Sequence, residues 1–116
     1  MQSELKKLPL EQRREQSLRL LHKFAPKLPV VVEPGRASDP RIEKSKFLID
    51  PNVTVAELLM LIRRRIQLQP HQAVYLFIDN QLVPSNATVR EIYHQAQQHN
   101  PDGFLYIKYC LENTFG

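Results

Sequence analysis

A glycine ends this chain, behind an aromatic residue and a short polar stretch: the last eight residues read YCLENTFG. Gly116 has no Cβ, so its carboxylate is the least hindered acid end that a polypeptide can offer. Termini are also where chains fray. By itself, then, the ending leaves two readings open, an idle terminus and a carboxylate offered for coupling. Other reactive types give weaker leads. Cys110 has no accompanying His, Asp or Asn motif, so it is expected to be a small apolar residue late in a strand rather than a nucleophile. His22, His71, His94 and His99 lack ligand spacing, and no metal site or cofactor is expected. Three glycines leave little material for a phosphate loop, and there is no zinc-finger or RNP-like spacing. The net charge of +4 and pI near 9.4 are therefore read as a preference for acidic partners, not for nucleic acid. No enzymatic activity is expected.

One domain must position whatever the chain offers. Its 116 residues can bury a core without staples, and a 42% hydrophobic content is ordinary for a globular protein. A single cysteine excludes an internal disulfide and fits a reducing compartment. MQSELKKLPLEQRR lacks the apolar stretch of a signal peptide, and VAELLMLI, closed by three arginines, is too short to span a bilayer. A cytoplasmic location is expected.

The elements follow from periodicity. PLEQRREQSLRLLHKF predicts a helix with Leu10, Ser17, Leu18, Leu21 and Phe24 on its apolar side, after a shorter helix in SELKKL. Pro26 and Pro29 end that pattern. Leu28–Glu33 and Lys46–Asp50 predict two strands that pair antiparallel. Thr54 and Glu57 have the capping-box spacing before a helix striped by Val55, Leu58, Leu59, Ile62 and Ile66. AVYLFID, a brief LVP and GFLYIKYC predict three more strands, and Thr88 with Glu91 starts a short helix between the last two. This order, β-β-α-β-β-α-β behind two N-terminal helices, predicts an α+β fold of the ubiquitin-like β-grasp type.

The stretches KLPVVVE, KFLID with TVAELLMLIRRRIQL, AVYLFIDNQLVP, DGFLYIKY and the ending ENTFG together resemble the autophagy ubiquitin-like modifiers. That family includes autophagy-related protein eight and the GABA-receptor-associated proteins. The resemblance runs in order from about Leu10 to Gly116. It implies a helical extension over residues 1–26, a β-grasp core over 27–110 and a flexible conjugation tail over 111–116. Such a tail could reach roughly 20 Å beyond the sheet, at 3.3–3.6 Å per residue. In the family the glycine is activated as an adenylate, passed on as a thioester and joined to phosphatidylethanolamine. The resemblance therefore implies Gly116 as the conjugated residue, with Asn113, Thr114 and Phe115 recognised by activating and conjugating enzymes and by a deconjugating cysteine protease. It also implies a monomer when unconjugated and a lipid-anchored pool on autophagosome membranes. The runner-up is a modifier joined to a protein lysine, and behind it a β-grasp adaptor that is never conjugated.

KFLID is apolar on both faces, a liability at a sheet edge unless a peptide strand adds there. By resemblance, cargo receptors with an aromatic-x-x-aliphatic motif would place the aromatic among Gln16, Leu20, Pro29, Lys46, Leu48 and Phe104. The aliphatic residue would fall among Phe47, Ile49, Val53, Leu58, Leu61 and Ile62. Lys23, Lys27, Lys44, Lys46 and Arg65 would draw the acidic flanks of such motifs. Phe47, Ile49, Leu58 and Ile62 are also core residues by periodicity, so Lys46 and Leu48 are the better expected contacts. Tyr75 and Phe77 would face the processing enzymes or, equally, lie under the helices or tail. Asp50 stands where the family commonly has proline.

Overall fold

The computed structural model describes residues 4–113. A 3-10 turn at Leu5–Lys7 leads into helix α1, Leu10–Lys23. Five strands follow, with two helices among them: β1 Leu28–Pro34, β2 Lys46–Ile49, α2 Val55–Arg65, β3 Gln72–Ile78, β4 Gln81–Leu82, α3 Val89–Gln97 and β5 Leu105–Asn113. The sheet order is β2-β1-β5-β3-β4, with β1 and β5 parallel and the other neighbours antiparallel. That is the β-grasp topology.

Local chemistry sets the elements. Thr54 Oγ1 accepts the Glu57 N–H at 3.2 Å, and Glu57 Oε1 takes the Thr54 N–H at 3.1 Å, the reciprocal box the spacing predicts. Thr88 accepts from the Glu91 N–H in the same way, at 3.2 Å. The two caps form a β-bridge with each other, so α2 and α3 start side by side. Asp79 and Asn80 both take positive φ, 50° and 65°, which makes the tight turn from β3 to β4. That turn brings β4 forward to Gln81–Leu82, one residue ahead of the expected LVP.

The sheet has two unlike faces. On one, Val30, Val32, Phe47, Ile49, Val74, Leu76, Leu105, Ile107 and Tyr109 pack with α2 and α3 in a continuous apolar core. The apolar stripe of α2 is there as its periodicity predicts, with Leu58 1% and Ile62 0% exposed. On the other face Val31 and Phe104 form a small cluster with Leu5, flanked by Leu20 and Tyr106.

Two expectations change. The predicted stripe of α1 holds only in part: Ser17 is buried and Leu21 half-buried, but Leu18 is 64% exposed, and Leu10 and Phe24 also meet solvent. Ser17 is the buried residue, and the inward line runs Arg13, Ser17, Leu20, because polar partners in the 101–104 loop rotate the helix onto themselves. The second concerns the tail. β5 does not stop at Cys110 but stays in the sheet to Asn113, opposite Gln72. Leu111 and Glu112 face Val74 and Ala73, whose backbone offers the ladder that the sequence assigns to no one. The part of the expected tail given as Leu111, Glu112 and Asn113 is therefore strand, and Thr114, Phe115 and Gly116 lie outside the described residues.

Candidate functional site

β2 sits at the edge of the sheet with β1 as its neighbour. Leu28 pairs with Ile49, Pro29 with Leu48, Val30 with Phe47 and Val31 with Lys46. The Val32 N–H donates to the Ser45 carbonyl at 2.7 Å, so Ser45, Phe47 and Ile49 turn their backbone groups toward β1. Antiparallel alternation then aims the N–H and C=O of Lys46 and Leu48 off the edge. An extended peptide would meet these groups.

The two expected side-chain groups lie on opposite faces of that edge. Pro29, Leu48 and Lys46 are on the α1 face, together with Phe104 and Leu20. Lys46 is exposed and Leu48 half-buried, whereas Pro29 and Phe104 are closed over. Gln16 is half-buried on α1. On the α2 face, Phe47, Ile49, Leu58 and Ile62 belong to the core, while Val53 and Leu61 pack half-buried against it. Arg65 and Lys44 stand over the Phe47 ring, 5.8 and 5.5 Å from its centroid, so two cations mark the mouth of this side. Lys23 covers Phe24 similarly at 5.4 Å, and Lys27 is exposed. A cleft of about 530 Å³ opens far from β2, between the β3–β4 turn and α3, lined by Ile78, Leu82 and Ala96 among others.

At the other side of the sheet Tyr75 lies opposite Cys110 and Phe77 opposite Lys108. Tyr75 is 44% exposed and Phe77 half-buried. Burial pushes the Cys110 thiol up, with the Asp39 carboxylate adding to the effect, the opposite of what activates a nucleophile.

Two polar groupings were not legible as sites in the sequence. The first joins α1 to the loop before β5. Asp102, fully buried, accepts from Arg13 Nη1 at 3.0 Å, from the Phe104 N–H at 2.9 Å and from the Tyr106 hydroxyl at 2.5 Å. Ser17 Oγ donates to the Asp102 carbonyl at 2.6 Å. Gly103 has φ +91°, and a Cβ there would meet Ser17 Oγ at 2.1 Å, so only glycine fits. The second lies beside the end of β5, where Arg36 and Asp39 hold each other and Leu111. Burial alone would raise the Asp39 carboxyl, but hydrogen bonds from Arg36 and the Leu111 N–H outweigh it and hold the group below its usual range. NPDG and GRASD read as turn and connection; only the fold brings their acids to partners 89 and 72 residues away.

With this geometry in view, the comparison with known families is decisive. The family model described as "Autophagy protein Atg8 ubiquitin like" matches residues 12–116. The chain belongs to the Atg8 family. Autophagy-related protein 8 of Kluyveromyces lactis is 42% identical over 110 residues, 93% of this chain and 86% of that one. Autophagy-related protein 8A of Oryza sativa is 38% identical over 109 residues, 93% of this chain and 90% of its own length. Among solved structures, Trypanosoma brucei ATG8 superposes with a TM-score of 0.87 at 28% identity, covering 100% of both chains. Plasmodium falciparum Atg8, in complex with a Plasmodium falciparum Atg3 peptide, gives 0.81 at 27% identity, over 95% of this chain and 96% of that one. As an Atg8-family chain, this protein is a ubiquitin-like protein of autophagy.

Proposed function

We propose that the chain is a non-enzymatic modifier, coupled through the Gly116 carboxylate to phosphatidylethanolamine, which then gathers cargo receptors at the β2 edge. The observation that carries this reading is the family match, which extends through Gly116 itself. The chemistry starts with the carboxylate attacking the α-phosphate of ATP and expelling pyrophosphate. A thiolate of the activating enzyme displaces AMP to form a thioester, which passes to the conjugating enzyme. The lipid amine then attacks the thioester and the thiol leaves, so an amide anchors the protein. A solved relative holds an Atg3 peptide, and we assign Asn113, Thr114, Phe115 and the Tyr75–Phe77 surface here to contact with such enzymes and with a deconjugating cysteine protease. The free protein is taken as a cytoplasmic monomer, and the coupled pool as bound to autophagosome membranes.

The β2 edge supports the receptor half of the proposal by simple geometry. Residues three apart on an added strand point to opposite faces. An aromatic-x-x-aliphatic peptide therefore needs one pocket on each side of the edge strand. Leu48, Lys46, Leu20, Gln16, Pro29 and Phe104 lie on one side; Phe47, Ile49, Val53, Leu58, Leu61 and Ile62 lie on the other. Since Phe104, Leu58 and Ile62 are buried, they serve as floor, and Leu48, Lys46, Val53, Leu61 and Arg65 make the contacts. Two such anchors plus backbone bonds, less the ordering of a disordered peptide, give roughly micromolar affinity. Lys23, Lys27 and Lys44 draw the acidic flanks.

The test is incubation with activating and conjugating enzymes, ATP and liposomes containing phosphatidylethanolamine, followed by intact-mass measurement. The expected product is one lipid adduct lost in Gly116→Ala. An adduct on a protein lysine instead would favour the runner-up, and lipid coupling that survives Gly116→Ala would overturn the assignment.

A further inference from the structure

The parallel pairing of β1 with β5 ends early on one side. Pro34 is the last residue of β1, opposite Tyr109, and the Gly35 N–H still donates to the Tyr109 carbonyl at 2.8 Å. In a continued parallel ladder the Gly35 carbonyl would next take the Leu111 N–H, and the N–H two residues on, at Ala37, would reach the Leu111 carbonyl. The chain turns away instead. Side chains supply both missing groups: Asp39 Oδ1 accepts the Leu111 N–H at 3.0 Å, and Arg36 Nη2 donates to the Leu111 carbonyl at 2.6 Å.

The two side chains are also locked to each other. Arg36 Nη2 meets Asp39 Oδ1 at 3.1 Å, while Arg36 Nε and its backbone N–H meet Oδ2 at 3.2 and 2.9 Å. Arg36 Nη1 then reaches Glu112 Oε1 at 3.1 Å. The Asp39 side chain is 2% exposed, so its bonds are shielded from water, and that of Arg36 is 46% exposed. Gly35 lets the loop come this close, since a Cβ there would stand 2.6 Å from Cys110 Sγ.

We propose that Arg36 and Asp39 form a positioning pair that stands in for the absent end of β1. The pair holds the Leu111 backbone in the sheet and, through Arg36, the Glu112 side chain. The clasp is read from geometry; its consequence rests on the coupling at Gly116 proposed above. An activating enzyme that must grip the end in extended form has less of it to order when Leu111 and Glu112 are already held. Loss of the clasp therefore weakens capture of the protein, not the chemistry that follows.

The experiment uses the full chain with Arg36→Ala, Arg36→Lys and Asp39→Asn. Amide exchange is followed at Leu111, with Ile107 as internal reference, and charging by the activating enzyme is followed at varied concentrations of each protein. In Arg36→Ala, exchange at Leu111 should quicken at least tenfold with Ile107 unchanged, and KM should rise three- to tenfold at constant kcat. Arg36→Lys, which keeps the charge but not the fork, should fall between. Leu111 exchange at the wild-type rate in Arg36→Ala overturns the clasp. Quickened exchange with unchanged KM overturns its positioning role. Asp39 is buried, so if Asp39→Asn fails to fold, the half-exposed Arg36 variants decide. If the wild-type chain is not charged at all, the coupling assignment fails, and the clasp stands or falls on exchange alone.

Discussion

The two faces of the sheet are held by different physics. The α2–α3 face is a continuous apolar core in which strand alternation and helix stripes meet. The α1 face has a small apolar cluster and is fastened by a buried acid, a serine and a left-handed glycine. The first kind of packing is tolerant, because apolar burial has no direction. The second is specific, because a buried carboxylate must find its partners or destabilise the fold. Firm packing on one face lets the other leave Tyr75, Lys46 and half of Leu48 at the surface, where partners can reach them.

Breaking each fastening in turn sharpens that contrast. The largest effect is expected for Asp102→Ala, which leaves three donors unpaired, those of Arg13, Phe104 and Tyr106. Urea denaturation should show a loss of about 3–5 kcal/mol. Combining it with Arg13→Ala should cost less than the sum of the two. Leu58→Ala, on the apolar face, is expected to cost about 2–5 kcal/mol, the amount depending on how far α2 collapses. Leu18→Ala, on the solvent side of α1, should stay within about 0.5 kcal/mol.

Another effect on the α1 face carries a pH signature. Burial, then the Asp102 carboxylate, raises the Tyr106 phenol above its ordinary value of 10.0. A raised folded value means the fold favours the protonated phenol. This stabilisation is complete below about pH 10 and is lost as pH climbs toward the folded value. Tyr106→Phe should lower stability by about 1.5–3 kcal/mol at pH 7 and flatten the decline above pH 9 in urea titrations. The last expected change is in binding rather than folding. Leu48→Ala should weaken a motif peptide about tenfold, roughly 1.4 kcal/mol by calorimetry, with an unchanged melting curve. An unchanged dissociation constant would move the peptide away from this edge.

Apolar spacing foretold the core face well. Both capping threonines, the Val55–Leu58–Ile62–Ile66 stripe and the alternation of Phe47 and Ile49 against Leu48 are all where the sequence puts them. It misled in part at α1, where Leu10, Leu18 and Phe24 look inward by spacing as much as Ser17 does. A serine becomes the better inward residue only when a carbonyl waits for it, and Asp102 is 85 residues away. The candidate site divides the same way: KFLID announces an edge strand by itself, but nothing local in GRASD tells that its arginine and aspartate close on Leu111.

What the amino-acid order determined by itself is local and additive: where helices start, which residues alternate, and that the chain can build a β-grasp. Periodicity and caps act within a few residues, so they survive without knowledge of the rest. Only the tertiary structure decided how α1 is rotated, how far β5 runs and which groups secure Leu111. Those outcomes depend on directional bonds between residues distant in sequence, and their energies exist only once the sheet has brought the partners within about 3 Å of each other.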